Sequence, residues 1–148
     1  MDQTSVVFGL AALGYLLLAK DAALRIVGRR WPALGMLTAL VVGTHVALVW
    51  AVRFEWSFAY AWEKGAPAFL LFHTALLLIL LAPLTAPRLR DRLVWSAFGI
   101  VSLGALPAPF LYPEVRVLAV PLLAAFAGVA TAVVTARRHR RAAGWAAG

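Results

Sequence analysis

Long runs of apolar residues, separated by short clusters of charge, are the main feature of the sequence. Five such runs, with their flanking residues, predict helices at residues 5–27, 32–53, 66–86, 93–111 and 116–137. A helix needs roughly 20 apolar residues to cross a bilayer, whereas a transmembrane barrel strand alternates apolar and polar positions. These runs are continuous rather than alternating. The pattern therefore predicts an all-α fold, a single domain made of five transmembrane helices.

Lys and Arg residues are concentrated in alternate connecting loops. The positive residues after the first helix, between the third and fourth helices and in the tail are Lys20, Arg25, Arg29, Arg30, Arg88, Arg90, Arg92, Arg137, Arg138, Arg140 and Arg141. Short loops rich in Lys and Arg remain in the cytoplasm. The sequence thus predicts an outer N-terminus and a cytoplasmic C-terminal tail, which requires an odd number of crossings. The Ala-, Leu- and Arg-rich composition favours a bacterial plasma (inner) membrane.

Composition and charge narrow the classes of function. Of all residues, 64% are hydrophobic and only 14% are charged, and the formal net charge is +8. A nucleic-acid partner is not expected, because such binders carry their cations on a water-exposed domain. The absence of cysteine excludes disulfides and thiolate metal sites. No carboxylate is expected deep in the membrane, since Asp21 and Asp91 adjoin arginines and are predicted to form surface ion pairs.

The loop between the second and third helices is rich in aromatic residues. Within residues 54–64, Phe54, Phe58 and Trp62 recur at helical spacing, with Trp56 and Tyr60 between them. Aromatic rings prefer the headgroup region, so this stretch, called the aromatic segment below, predicts a short interfacial helix on the outer surface. Two roles stay open: a belt that anchors the bundle, and a cover over a substrate or a quinone headgroup.

Small residues and prolines predict how the helices pack and bend. Small residues recur every fourth position in two helices, at Gly35, Ala39, Gly43 and Ala47 and at Ala124, Gly128, Ala132 and Ala136. Such faces let membrane helices approach closely, and they are predicted to pack inside the bundle rather than to dimerise it. Pro121 is expected to kink the outer part of the fifth helix. Irregular structure, and any site, is expected in the outer leaflet.

Two histidines are the candidate chemical groups. His45 and His73 lie well inside the second and third helices, where ionisable side chains are costly and often functional. From the helical rise, both rings are expected at a similar depth below the outer surface. They are therefore candidate axial ligands for a b-type haem, with Arg53 and Arg116 as candidate propionate partners. Packing between helices, and a proton-relay or quinone-headgroup role, remain open for the same residues. No other metal site is expected.

Three functions are compatible with these features. The first is a non-catalytic subunit or partner that packs in the bilayer against other membrane protein subunits of a larger complex. The second is an electron-transfer protein that holds one haem b between His45 and His73 and exchanges electrons with quinone. The third is a carrier or enzyme for a lipid-soluble molecule in the outer half of the bundle. No complete catalytic constellation is present, which favours a protein that is not an enzyme.

Overall fold

The computed structural model describes the backbone of residues 3–111 and 113–145 and the side chains of residues 5–110, 113 and 115–139. Arg140 and Arg141 of the predicted tail therefore lie outside the described side chains. The described backbone is helical, with short turns. Its α-helices are α1 (Gln3–Ile26), α2 (Pro32–Arg53), α3 (Phe58–Leu81), α4 (Pro87–Ala105), α5 (Ala108–Leu111) and α6 (Ala119–Trp145). Residues Ala82–Leu84 and Pro113–Leu118 form 3-10 helices.

Five helices within the described ranges are long and apolar enough to cross a membrane. These spans are 22 to 27 residues long, and their mean hydropathy lies between 1.6 and 2.4. A span of 22 residues reaches about 33 Å at the helical rise, which exceeds the roughly 30 Å hydrocarbon core of a bilayer. The prediction of an all-α fold with five such helices is confirmed. Insertion and the sides of the two termini stay predictions.

Proline and glycine set several helix boundaries. Pro32 and Pro87 occupy the first turns of α2 and α4, where a missing amide hydrogen leaves no bond unmade. Pro121 has the same position, because α6 begins at Ala119. The expected kink at Pro121 stays a prediction; a 3-10 helix, Pro113–Leu118, directly precedes α6. Within α3 the backbone departs from helical geometry at Gly65, which separates the aromatic segment from the apolar part of the helix.

Helix α1 is the central element of the bundle. It packs against α2, α4 and α6, while α3 packs against α2 and α4 and completes a ring around a shared interior. We call the end of the bundle that holds the turn at residues 27–31 and the start of α4 the arginine end. The opposite end, which holds the aromatic segment and the start of α1, is the aromatic end. These two ends are built differently.

The hydrophobic core lies in the half of the bundle near the arginine end. Side chains from α1, α4 and α6, together with residues at the end of α3, form one buried cluster: Tyr15, Leu18, Ala19, Ala22, Ile79, Ala82, Val94, Ala97, Phe98, Leu122 and Val129. Near the middle of the bundle the Tyr15 ring stacks on Phe98 at 5.7 Å between centroids. The Tyr15 hydroxyl and the Ser102 hydroxyl form a hydrogen bond of 3.0 Å. This polar contact ties α1 to α4 where the core ends.

A buried ion-pair network joins α1 to α4 at the arginine end. The Arg25 guanidinium donates two hydrogen bonds to the Asp21 carboxylate, at 3.0 and 3.1 Å. Arg25 also pairs with Asp91, which accepts a second bond from Arg30 at 2.8 Å. The predicted ion pair at Asp21 exists, but its expected surface location is wrong, since Asp21 is only 1% exposed. The central position of α1 buries it between α2 and α4.

The two stripes of small residues have different surroundings. On α2, a methyl group added to Gly35 would lie 3.7 Å from a carboxylate oxygen of Asp21, and Ala39 packs on the core. On α6, in contrast, Ala124 and Gly128 are exposed, and nothing lies within 4 Å of a methyl group added to Gly128. The expectation of internal packing thus fails for these two residues, because α6 packs mainly on α1 and has an outward face. It fails on α2 for Ala47, which is exposed, and nothing lies within 4 Å of a methyl group added to Gly43.

Candidate functional site

A large open cavity occupies the half of the bundle near the aromatic end. Its volume is about 970 Å³, and it is lined by residues from α1 to α5, from the aromatic segment and from the start of α6. Most of the wall is apolar, formed by Val, Leu, Ala and Phe side chains. The cavity begins where the core ends, at Tyr15, Leu18, Ile79 and Leu122, which belong to both.

His45 lies in the wall of this cavity and ties α2 to α1. Its Nδ1 is 3.0 Å from the backbone carbonyl oxygen of Val7. A carbonyl oxygen only accepts hydrogen bonds, so Nδ1 is the protonated nitrogen and donates. In a neutral imidazole the second nitrogen, Nε2, then carries the lone pair. Among the side chains that the structure describes, none donates a hydrogen bond to it.

His73 also lines the cavity, but both of its ring nitrogens have protein partners. Nδ1 donates to the backbone carbonyl oxygen of Phe69, one turn earlier, at 2.8 Å. Nε2 accepts a hydrogen bond of 3.1 Å from the indole Nε1–H of Trp50 on α2. The His73 ring stacks on Phe69 with 3.9 Å between centroids. These contacts fix the tautomer and the orientation of His73 and join α2 to α3.

The four candidate site residues are only partly brought together. His45, His73 and Arg53 all line the cavity. Arg53 ends α2 and is exposed, which places it at the opening. Arg116 is exposed in a 3-10 helix and is not part of the cavity wall. His45, His73 and Arg53 thus share one cavity, from which Arg116 is absent, and the matching depth of the two histidines stays a prediction.

Haem ligation by both imidazoles stays a prediction, and the hydrogen bonds do not favour it. Bis-histidine ligation needs a free lone pair on each ring. His45 offers Nε2, but the Nε2 lone pair of His73 is engaged by Trp50. Iron would have to displace the indole. The absorption spectrum of the purified protein decides the matter: a Soret band that is lost in His45→Ala requires haem, and a colourless preparation from haem-replete cells excludes it.

The aromatic segment forms part of the cavity wall at the aromatic end. A turn with positive φ at Glu55 and Trp56 leads to Ser57, whose hydroxyl accepts a hydrogen bond from the Tyr60 amide and caps the helix that follows. Four residues of the segment line the cavity: Phe54, Tyr60, Ala61 and Lys64. The expectation of a short helix in this stretch corresponds to residues 58–64, and its position at a membrane surface stays a prediction.

Ring contacts hold the aromatic segment onto α2 and α3. Phe58 and Trp62 each meet Phe69 edge to face, at 5.3 and 5.9 Å between centroids. Trp50 stacks on Trp56 at 6.3 Å. Aromatic pairs of this kind contribute roughly 0.5–1.5 kcal/mol each beyond the area that they bury. Several contacts therefore act together to hold the segment in the cavity wall.

Sequence reasoning missed Tyr60 and Lys64 as wall residues. In the structure the Lys64 Nζ lies over the Tyr60 ring, 5.1 Å from the centroid. The two residues are four positions apart, so a helical reading of the aromatic segment places them on one face. That spacing was the available signal.

The fold and the cavity together define a class: a small all-helical bundle, with five helices long and apolar enough to cross a membrane, that encloses a ligand-sized cavity at one end. Comparison with known proteins adds no family to this description: no family model, no curated protein and no solved structure matches the sequence. The chemistry of the cavity is consequently the main guide to function.

Proposed function

We propose that this protein is an integral membrane protein that binds a lipid-soluble molecule in the cavity at its aromatic end. The aromatic end faces the outside of a bacterial plasma membrane, and the arginine end faces the cytoplasm. The distribution of Lys and Arg supports this orientation, because positive residues hold short loops in the cytoplasm. The exposed aromatic rings of Trp56, Phe58 and Trp62 suit the outer headgroup region.

The cavity is the observation that carries the proposal. Small-molecule sites are typically clefts of roughly 300–1,000 Å³ with apolar walls and a few polar groups that fix the orientation of the ligand. A volume of about 970 Å³ is at the upper end of that range. Packed protein interiors contain few voids larger than a water molecule. An apolar space of this size between helices is therefore suited to an apolar guest.

The polar groups of the wall give the guest a defined position. His45 offers an acceptor at Nε2, within a wall that is otherwise mainly Val, Leu, Ala and Phe. The cavity is open at the aromatic end, where Arg53 and Lys64 are both exposed and part of the lining. A molecule can thus enter from the outer half of the bilayer without crossing the packed core. This arrangement suits a carrier or a binding protein.

The proposal predicts a ligand that copurifies with the protein. Protein purified in a mild detergent is extracted with organic solvent, and the extract is analysed by mass spectrometry against the same detergent carried through a mock purification. Ala11, in the wall on α1, is replaced by Phe to fill part of the cavity. Ala47, exposed on α2 and outside the cavity, receives the same substitution as a matched control.

We expect the wild type and Ala47→Phe to bind an apolar molecule in stoichiometric amount. The amount bound by Ala11→Phe should be severalfold lower. Both variants should elute as the wild type does in size-exclusion chromatography, which shows that they remain folded. If no molecule is enriched over the mock extract and no apolar probe binds, the proposal is wrong. Equal retention by both variants would mean that the ligand binds elsewhere.

The outward face of α6 favours a second candidate function, that of a subunit in a larger membrane complex. Ala124 and Gly128 are exposed and one turn apart, and small residues at this spacing allow a second helix to approach closely. Gly128→Leu should then release a partner that copurifies at native expression level, whereas Gly99→Leu, on an exposed site of α4, should not. A wild-type protein that migrates alone as a monomer counts against this function.

A further inference from the structure

Two cations mark the opening of the cavity. Arg53 and Lys64 both line it and are both exposed. Neither forms an ion pair with any side chain in the described part of the protein. Glu55 and Glu63 are close in sequence but are not part of the cavity wall. The opening therefore carries positive charge that no carboxylate offsets among the lining residues that the structure describes.

The local structure holds these cations at the opening. Arg53 is the last residue of α2, so its position is set by a rigid helix. Lys64 lies over the ring of Tyr60, and Tyr60 packs edge to face against Phe54 at 6.2 Å between centroids. Tyr60 and Phe54 also belong to the cavity wall. Arg53 and Lys64 thus line the same cavity, one from the end of α2 and the other from the aromatic segment.

In the deeper wall, in contrast, the polar side chains that could donate to an anion already have hydrogen-bond partners within the described part of the protein. The indole N–H of Trp50 is directed at His73, and the Nδ1 hydrogens of His73 and His45 are directed at backbone carbonyls. The hydroxyl of Tyr15 pairs with Ser102. An anion placed at this depth would lose its hydration without compensation. Free donors for an anion are found at the opening.

We infer that the cavity takes an amphiphile with an anionic head group, a phosphate or a carboxylate, which binds to Arg53 and Lys64 while its hydrocarbon tail fills the apolar interior. This inference rests on the proposed function and adds the class of the ligand. Arg pairs with phosphate and carboxylate through two parallel hydrogen bonds, and Lys adds a point charge. The donors at the opening and the apolar depth together fix the direction in which the ligand binds.

The test compares two probes that share one chain and differ in the head group. The dissociation constants of tritiated oleyl phosphate and tritiated oleyl alcohol are measured on detergent-solubilised full-length protein. The variants are Arg53→Gln, Lys64→Gln and the combination of both. Arg116→Gln is the matched control, because Arg116 is an exposed cation near the same end that is not part of the cavity wall. Size-exclusion elution checks that each variant is folded.

The wild type should bind oleyl phosphate at least about tenfold more tightly than oleyl alcohol, since one charged hydrogen bond contributes on that order. The double variant should lose this preference and keep its affinity for the alcohol, while Arg116→Gln should behave as the wild type. The preference should also weaken as salt is added, because exposed charges are screened.

Failure of the inference and failure of the proposed function give different results. Equal binding of both probes to the wild type, or an unchanged preference in the double variant, overturns the inference alone. Binding of neither probe overturns both. Competition with phosphatidylglycerol and with oleate then identifies the source of the anion: displacement by the phospholipid assigns a bilayer lipid, and displacement by oleate alone assigns a free acid. Equal displacement by neutral phosphatidylcholine contradicts the inference.

Discussion

Replacing Arg25 by Met should destabilise the protein by about 3–5 kcal/mol, because it leaves the Asp21 carboxylate buried without its partner. The side chains of Arg25 and Asp21 are only 3% and 2% exposed, so water does not take over the lost hydrogen bonds. Arg25→Met removes two bonds to Asp21 and one to Asp91, whereas Asp91 keeps its bond to Arg30. The expected loss is a large part of the roughly 5–15 kcal/mol that holds a typical domain folded.

The assay is reversible unfolding by SDS in mixed micelles, followed by tryptophan fluorescence and by helix content. Arg30→Gln is the matched control: its side chain is 55% exposed and pairs with the same Asp91, so its loss should cost less than about 1 kcal/mol. The double variant Asp21→Leu/Arg25→Met removes both charges and should recover most of the stability. The reasoning is refuted if Arg25→Met lowers the free energy of unfolding no more than Arg30→Gln does. It is also refuted if the double variant is no more stable than Arg25→Met.

Two further stability predictions follow from contacts between helices. Gly14→Ala should lower the free energy of unfolding by about 1–3 kcal/mol, because the added methyl group would lie 2.9 Å from the Cγ2 of Val42, a stiff side chain. Gly43→Ala is the control in the same SDS titration. Nothing lies within 4 Å of its added methyl group, so it should be neutral or slightly stabilising. A double-mutant cycle of Trp50→Phe and His73→Phe should give a coupling free energy of about 0.6 kcal/mol, which is the average for hydrogen bonds between membrane helices. Zero coupling would contradict the hydrogen bond between the two side chains.

The helices could be predicted from the sequence, because the physical requirement for them is local. A run such as residues 66–86 must be long and apolar to cross a bilayer, and both properties can be read directly from residue order. The short helix at 58–64 was likewise indicated by the spacing of Phe58 and Trp62. The fold at this level depends on composition and periodicity rather than on which helices are neighbours.

The cavity and the burial of the Asp21 ion pair could not be predicted, because both depend on the arrangement of the helices. Ala11, in the cavity wall, and Ala47, on the outside, are both alanines in apolar runs, and nothing local distinguishes them. Asp21 was expected at the surface because it has arginine neighbours, but the central position of α1 buries it. Likewise, the position of His73 along its helix could be predicted from the sequence. Its hydrogen bond to Trp50 could not, because it depends on how α2 and α3 pack against each other.

The helices are held together by different interactions at the two ends of the bundle, and these interactions differ in strength. At the arginine end, pulling α1 from α4 would strip Arg25 from Asp91, and no lipid chain can replace that contact. At the aromatic end, the ring contacts of Phe58 and Trp62 with Phe69 contribute only roughly 0.5–1.5 kcal/mol each, and lipid chains can replace part of their apolar surroundings. We therefore expect the aromatic end to open more readily than the arginine end. Hydrogen exchange should be faster in residues 54–64 than in residues 18–26 for this reason.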